Sequence, residues 1–320
     1  MHRFVRLVVA PLSLAFAVVC TAQDYPNRPV RVIDPFSPGG ATDVLGRIVG
    51  QKLTERLGQP FLVENRPGAG GHIGAEAVAK SPPNGYMLVI AGVPHAIGMT
   101  LYHKVGYDMA KDLAPVTQLA TFPSLIVVHP SLPVKSIKEL LALARARPGQ
   151  LNSGANTGSP NHLAIELMNS MAKIKIVHVG YKGAAPAVTD AVAGQIDLVS
   201  AGVPSVLGYV HSGHLRAIAV TSMKRTPLLP DVPTVNESGI PGYDVTSWYG
   251  LYSAPGTPGA IIMKLNAEIA TVFKATDVAE RLSALGAQAA PSSPEQLGRI
   301  TRDEIARWAE VVKASGATVN

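Results

Sequence analysis

The sequence predicts an α/β fold with two lobes, each of which is a mostly parallel sheet flanked by helices. Short β-rich runs alternate with helical segments along the chain, and this order builds parallel sheets that are covered on both faces. The length of 320 residues suits two domains of roughly 100 to 150 residues each. The 26 prolines and 30 glycines are dispersed, as many short connections would require.

The strands are predicted from short runs of β-branched and apolar residues at residues 30–34, 61–64, 87–91, 125–128, 174–179, 196–200 and 215–221. Between the first two runs, apolar residues recur near a 3.6-residue period at Val44, Leu45, Ile48, Val49, Leu53 and Leu57. Gly58 stands where a helix stop belongs. Further helices are predicted at 73–80, 136–146, 160–171, 185–193 and 205–212, and the tail is predicted to be almost entirely helical over 257–286 and 294–314.

The lobes are predicted from two β-rich segments, 114–119 and 245–252, which flank a central block with its own alternating elements. We interpret these segments as crossings between lobes. The predicted division is a leader over 1–22, a first lobe from 23–118 plus 247–320, and a second lobe over 119–246.

The first residues predict export from the cytoplasm. Arg3 and Arg6 precede an apolar stretch over 7–19, and a small residue, Ala22, ends the region, which is the layout of a cleavable signal. The apolar stretch falls short of the ~20 residues needed to cross a bilayer. A lipid anchor on Cys20 is the alternative, disfavoured by the bulky Val19 before it.

Cleavage after Ala22 leaves a periplasmic chain without cysteine, because Cys20 is the one cysteine in the sequence. Disulfides, thiolate nucleophiles and cysteine-based metal sites are then excluded. The formal net charge of +6 becomes 6 − 2 = +4 when the two signal arginines are removed. This modest excess, with few aromatic residues and no Lys/Arg cluster, argues against a nucleic-acid surface and favours the approach of anions.

Two loops, 34–43 and 152–162, occupy equivalent strand-to-helix positions in the two predicted lobes. Ser159 is a natural N-cap, Pro160 fits the first helical position, and Gly158 permits close approach of a ligand to the backbone. Unpaired amides and the helix dipole at such a start favour a carboxylate without a dedicated cation. Two starts facing each other would hold an anion from both sides. The alternative is that both loops are ordinary turns.

Several residues leave alternatives open. Asp43 lies in the first turn of its helix, where it could accept a hydrogen bond from a ligand or from the loop's own backbone. Ser159 and His162 could form a hydrolytic pair, although a capping role for the serine is favoured. Trp248 and Tyr249 could close over a ligand or pack the hinge. The glycines of 65–74 are misspaced for a dinucleotide loop, and the histidines lack the spacing of a metal site.

Six motifs, very specific together, carry a resemblance to a known family: YPNRPV from Tyr25, PFSPGG from Pro35, VENRPGAGG from Val63, VGYKGAAPA from Val179, AGQID from Ala193 and LPDVPT from Leu229. With them the mature chain resembles, over nearly its full length, the periplasmic substrate-binding proteins of tripartite tricarboxylate transporters, also called Bug receptors. The resemblance implies a Venus-flytrap fold of the type II kind that closes on a small carboxylated ligand. It implies no catalysis and no cofactor.

The same resemblance implies which residues contact the ligand. They are Ser37, Pro38, Gly39, Gly40, Thr42 and Asp43 in one loop, Asn156, Thr157, Gly158, Ser159 and His162 in the other, and Pro94, His95, Val203, Pro204 and Ser205 elsewhere in the cleft. Asn156 and Thr157 stand where the family often has glycine, which predicts a reshaped pocket floor. The expected partners are the membrane permease subunits of the transporter, with the receptor itself a monomer. The alternatives are a sensor that signals to a kinase and an exported hydrolase.

Overall fold

The computed structural model describes residues 25–319, so the predicted signal over 1–22 and Cys20 lie outside the described residues. The strands are β1 (Val30–Asp34), β2 (Phe61–Asn65), β3 (Met87–Gly92), β4 (Ala114–Val128), β5 (Asn152–Ala155), β6 (Val177–Gly180), β7 (Leu198–Gly202), β8 (Arg216–Val220), β9 (Thr246–Ser253) and β10 (Gln288–Ala289). The helices are α1 (Ala41–Leu57), α2 (His72–Ala79), α3 (Val93–Leu101), α4 (Ile137–Ala146), α5 (Pro160–Ala172), α6 (Ala184–Val192), α7 (Val203–His211), α8 (Gly259–Val272), α9 (Thr276–Ala284) and α10 (Pro294–Ser315).

Local sequence explains where several of these helices begin and end. The apolar stripe of α1 is buried at Leu45, Ile48 and Leu53, and the helix ends at Gly58, which takes a left-handed conformation with φ 70°. Helix α4 begins after Ser136, whose hydroxyl accepts a hydrogen bond from the Glu139 amide at 3.2 Å. The helix predicted from the periodic apolar residues over 44–57, and its stop at Gly58, are therefore confirmed.

The strands form one mixed sheet in the order β2-β1-β3-β9-β4-β7-β5-β6, with β8 and β10 also paired to β4. Strands β1, β2 and β3 are parallel to one another, and so are β5, β6 and β7. Strand β9 runs antiparallel to β3 and β4, and β4 runs antiparallel to β7 and β8. The predicted α/β class is confirmed, and the antiparallel pairs arise where the chain passes between the two parallel groups.

The two segments predicted to be crossings are neighbouring strands. The first part of β4 pairs with β9, from Ala114 opposite Ser253 to Pro123 opposite Thr246. The remainder of β4 pairs with β7 and β8. One long antiparallel strand thus extends from β9, which pairs with the first parallel group, to β7 of the second group, which the short predicted runs at 114–119 and 125–128 did not show.

Three buried apolar clusters support the sheet. One lies between the first group of strands and the helices α1, α8 and α9. A second lies beneath α6 and α7 in the second group. The third and largest joins α3, α4, α5 and α10, so the C-terminal helix packs on both groups. Among residues 25–319, no helix combines the length and the apolarity needed to cross a membrane.

Three elements were missed by the sequence analysis: α3, β5 and β10. Helix α3 contains Pro94 at its second position, where a helix tolerates proline, but no stop signal follows it. Strand β5 has the sequence NSGA, which has no β-branched residue, and it forms because β6 and β7 pair with it on either side. Strand β10 has two residues and exists through its pairing with β4.

Candidate functional site

The carboxyl ends of the parallel strands place five helix starts around one crevice. Strands β1 and β3 lead into α1 and α3, and β5, β6 and β7 lead into α5, α6 and α7. Crevices at the carboxyl ends of parallel strands are the usual ligand sites of open α/β sheets. The crevice is therefore the candidate site.

Two adjacent cavities make up the crevice. The main cavity, of about 440 Å³, is lined by the starts of α1, α3, α5 and α7, by 122–124 of β4, by Ser247 and Tyr249 of β9, and by the turn at 284–286. The side cavity, of about 170 Å³, lies between the starts of α5 and α6 and the ends of β5 and β7. Asn161 lines both cavities.

Four of the five helices begin after a glycine N-cap: Gly40, Gly92, Gly183 and Gly202. Glycine has no side chain to accept from the first-turn amides, so these donors are left for water or a ligand. The aligned peptide dipoles add about half a positive charge at each start. These helix starts thus favour an anion in the crevice, although no Lys or Arg of the described residues lines it.

Asp43 holds its own loop. Its carboxylate accepts from the Gly39 amide at 3.0 Å, from Asn65 Nδ2 at 3.1 Å and from Arg47 Nε at 3.1 Å. Hydrogen bonding from Arg47, opposed by burial, keeps the pKa of Asp43 below its usual range. Asp43 therefore bonds the loop's own backbone through the Gly39 amide, which is one of the two alternatives left open by the sequence, and contact of Asp43 with a ligand stays a prediction.

Asp34, at the end of β1, is hydrogen-bonded to the same loop. Its carboxylate accepts from Asn65 Nδ2 at 2.9 Å and from the Phe36 amide at 3.3 Å, and Thr42 also hydrogen-bonds to it. Burial raises the pKa of Asp34 to about 6. Thr42, predicted to contact a ligand, is buried with its hydroxyl engaged in this network.

The start of α5 has the predicted cap. The Ser159 hydroxyl accepts from the His162 amide at 3.3 Å, and His162 Nδ1 accepts from the Gly158 amide at 3.0 Å. The His162 ring also stacks on His178 with centroids 3.7 Å apart. With Ser159 capping the helix and His162 bonded to the backbone, the pair does not have the arrangement of a nucleophile and its base.

Gly158 lies in close contact with α3. Its φ is +77°, and a side chain there would overlap Leu101 at the end of α3. The structure therefore shows a close approach of α3 to the α5 loop at this position, and close approach of a ligand to Gly158 stays a prediction. Thr157 lies in the same loop with its hydroxyl 3.0 Å from His178 Nε2.

His95 also lies away from the cavity lining. It is fully buried, its Nδ1 accepts from the Gly92 amide at 3.2 Å, and its ring packs against His72 and Phe36. Burial lowers the pKa of His95 to about 3, with a further contribution from His72. A neutral, enclosed imidazole cannot serve as a charged ligand contact.

The predicted ligand residues divide into two groups. Pro94, Pro204 and Ser205 line the main cavity, and Asn156 and Ser159 line the side cavity. The remaining predicted residues line neither cavity: Ser37, Pro38, Gly39, Gly40, Thr42, Asp43, His95, Thr157, Gly158, His162 and Val203. Ser37 to Gly40 are exposed beside Ala41, which does line the main cavity. Ligand contact by any of these residues stays a prediction.

The sequence analysis missed the hydrogen bonds that connect α5 to β4 and β7 at the crevice. Asn161 Oδ1 accepts from the Ser124 hydroxyl at 3.1 Å and from the Ser200 hydroxyl at 3.5 Å. Ser124 lies on β4 and Ser200 on β7, so no local signal joins them to α5. The turn at 284–286 was missed because it comes from the distant C-terminal region.

Two neighbouring aromatic residues on β9, Trp248 and Tyr249, face opposite sides of the sheet. Tyr249 lines the main cavity, with its ring against Phe36 and Phe122. Trp248 points the other way and is buried at 4% exposure in the cluster around α10. Successive strand residues face opposite sides of a sheet, so one can line the crevice while the other packs the hinge.

Gly286 closes the main cavity on one side. It lies in the turn between α9 and β10 with φ +64°, and a Cβ placed there would be 2.8 Å from Pro204 Cδ. Pro204 is at the start of α7 in the other group of strands. The two groups are therefore in close contact across the crevice at this position.

Comparisons with known sequences show the family of the chain. The model of the tripartite tricarboxylate transporter family receptor matches residues 45–317. The protein BugT of Bordetella pertussis is 38% identical over 308 residues, which cover 95% of this chain and 94% of BugT. A UPF0065 protein from the tcbD-tcbE intergenic region of Pseudomonas sp. strain P51 is also 38% identical, over 96% of this chain and 93% of that protein.

Solved structures are similar over nearly the whole chain. The structure of R. palustris Rpa4515 with adipate has a TM-score of 0.79 and 38% identity, and it covers 92% of this chain and 99% of that chain. The structure of MatC from Rhodopseudomonas palustris with bound malate has a TM-score of 0.75 and 33% identity, covering 90% of this chain and 100% of that chain. The chain therefore belongs to the tripartite tricarboxylate transporter receptor family, and it is a periplasmic solute-binding receptor and not an enzyme.

Proposed function

We propose that this receptor captures a small carboxylated metabolite in its crevice and presents it to the membrane permease of a tripartite tricarboxylate transporter. The observation that carries the proposal is the convergence of five helix starts on two cavities to which residues 25–319 contribute no charged side chain. Helix dipoles and free amides favour a carboxylate in such a place. Two similar proteins were solved with the carboxylates adipate and malate, which supports the same ligand class here.

Capture by closure follows from the predicted division into lobes, which we retain as part of the proposal. The first lobe comprises 23–118 and 247–320, and the second comprises 119–246. In this division β4 and β9 connect the lobes, and contacts such as Gly286 with Pro204 form when the lobes close.

A thermal-shift titration with adipate, malate, citrate and other small carboxylates tests ligand capture. A ligand present at 100 times its dissociation constant stabilises a protein by about 2.7 kcal/mol. That stabilisation corresponds to a rise in Tm of roughly 5 to 10 °C for a domain of 150–250 residues. No rise with any carboxylate would contradict the proposal.

A charge placed at the start of α7 tests the location of the site. Ser205 lines the main cavity, so Ser205→Asp should repel the anion and abolish the thermal shift. Thr276→Asp is the matched control, because it places the same charge at the start of α9, outside both cavities. Equal thermal shifts in the two variants would place the ligand elsewhere.

Export and delivery are tested in the source cell. Cleavage after Ala22 predicts a periplasmic protein whose N-terminal residue is Gln23, which intact-mass measurement would identify. Deletion of the receptor gene should abolish uptake of the ligand while the permease is still present. Normal uptake, with loss of a transcriptional response to the ligand, would instead support the sensor function.

A further inference from the structure

Asn161 has the position of a residue that selects the ligand. It is the second residue of α5 and lines both the main and the side cavity. Its side-chain Oδ1 accepts one hydrogen bond from Ser124 and a longer one from Ser200, at 3.1 and 3.5 Å. No hydrogen bond from Nδ2 to another residue exists within the described part of the chain.

The backbone around Ser124 is itself fixed in position. The Ser124 amide donates to Thr221 Oγ1 at 3.1 Å, and the Thr221 amide donates to the Ser124 carbonyl at 2.9 Å. The Thr221 hydroxyl donates to the Val245 carbonyl at 2.7 Å, just before β9. Ser124, which orients Asn161, is therefore anchored where β4 and β9 meet.

This orientation decides what Asn161 can offer. An amide oxygen has two acceptor positions, and the two serine hydroxyls occupy both. The remaining group is Nδ2, which can only donate. Asn161 thus favours a ligand group that accepts hydrogen bonds, such as a carboxylate oxygen.

The charge of the crevice disfavours a cationic group on the ligand. Within residues 25–319, no Asp or Glu side chain lines either cavity, and the nearby Asp43 is paired with Arg47. Five helix starts present the positive ends of their dipoles. A buried ammonium would have no counter-charge and would be repelled by these dipoles.

We propose, building on the proposed function, that Asn161 donates to the carboxylate of the ligand and that this site selects organic acids without an ammonium group over amino acids. Ser124 and Ser200 are positioning residues that keep the donor side of the amide turned toward the ligand.

Matched ligand pairs test this selectivity by calorimetric titration of the full receptor. Malate and aspartate differ in carrying a hydroxyl or an ammonium, and adipate and 2-aminoadipate differ by one ammonium. We expect the acid of at least one pair to bind at least about 100-fold more tightly than its amino counterpart, a typical scale for discrimination through an unpaired buried charge. Comparable affinity within every pair that binds would overturn the inference while leaving the proposed function intact. If none of the four binds, the same comparison is made between the carboxylate that raises the Tm most and its 2-amino analogue, and comparable affinity there overturns the inference while leaving the proposed function intact.

Substitution of Asn161 tests its role directly. Asn161→Asp still accepts from both serines but replaces the donor with a negative acceptor, so acid affinity should fall by about 100-fold or more. Asn161→Ala removes the donor and also leaves the Ser124 and Ser200 hydroxyls without their acceptor, and the expected loss of acid affinity is about 10-fold or more. Asn236→Asp is the control, because Asn236 also accepts through Oδ1, from the Gly242 amide, at a site outside both cavities. Unchanged acid affinity in Asn161→Asp, with a folded protein, would refute the proposal.

Ser200→Ala separates positioning from simple stability. It frees one acceptor position of Oδ1, so the amide can also accept from an ammonium. The ratio of acid to amino-acid affinity should fall by several-fold, about the effect of one hydrogen bond. A loss of stability with an unchanged ratio would mean that Ser200 has only a packing role.

Discussion

Replacing Gly286 with alanine should weaken ligand binding by obstructing closure of the crevice. The new Cβ would lie 2.8 Å from Pro204 Cδ and 2.9 Å from its Cγ. Those atoms belong to a rigid ring at the start of α7, so the helix cannot relieve the overlap by a side-chain rotation. Restoring ordinary contact at about 3.4 Å requires the two sides of the crevice to separate by 3.4 − 2.8 = 0.6 Å.

The magnitude follows from the cost of overpacking, which is typically about 1–3 kcal/mol. Under the proposed closure, this cost applies to the closed receptor, where Gly286 meets Pro204, and is absent when the lobes separate. Affinity should therefore fall by about 5- to 150-fold. Alanine at φ +64° adds a backbone strain of roughly 1–2 kcal/mol, which is present in the open and closed receptor alike and lowers stability without changing affinity.

Gly58→Ala is the control for that strain. Gly58 has φ +70°, and a Cβ there meets no atom within 4 Å. Both variants should lose similar stability in urea titrations without ligand, while isothermal titration with the carboxylate that binds best should show weakened affinity for Gly286→Ala alone. Equal affinities for the two variants would refute the idea that this contact forms on closure.

Three further predictions concern the helix starts and the buried histidines. Gly202→Ala places a methyl group in open space at the main cavity, so ligand affinity should fall at nearly unchanged stability. Gly208→Ala, on the helix that follows Gly202, is the control and should leave affinity unchanged, as measured by titration calorimetry. Ser159→Ala removes the cap of α5 and should lower the free energy of unfolding in urea by about 1 kcal/mol, with no loss meaning that the cap is unimportant. Burial lowers the pKa of His95 to about 3 and that of His178 to about 4, so both rings are neutral in the fold at neutral pH. Their contribution to the free energy of unfolding is complete above about pH 6.5 and is lost as the pH falls toward 4. The Tm should therefore fall over that interval, and it should fall less in His178→Gln.

Much of the fold was predictable because its signals are local. The stripe of α1 and its stop at Gly58 lie within one segment, as does the cap that Ser159 provides for α5. Helix starts after strands could be recognised from the order of elements alone. The family resemblance rested on short motifs spread along the chain, and the family was confirmed.

The polar contacts of the site were less predictable, since a side chain can take several partners. The sequence left Asp43 between the ligand and its own loop, and the structure shows it bonded to Gly39, Asn65 and Arg47. His95 was expected in the crevice and is fully buried in the first turn of α3, outside the lining of both cavities. The position of a residue near a helix start specifies which backbone amide lies close to it. The packing around its side chain decides whether that side chain points to the crevice or into the fold.

The sequence alone predicted the α/β class and the two loops before α1 and α5. It also predicted that backbone amides at helix starts can hold an anion without a cationic side chain. These depend on backbone properties of a strand followed by a helix, which neighbouring residues specify. Only the tertiary structure brings Ser124 and Ser200 to Asn161 and Gly286 to Pro204. Those contacts join residues far apart in the chain, and they depend on how β4 pairs with both β9 and β7, which no local pattern encodes.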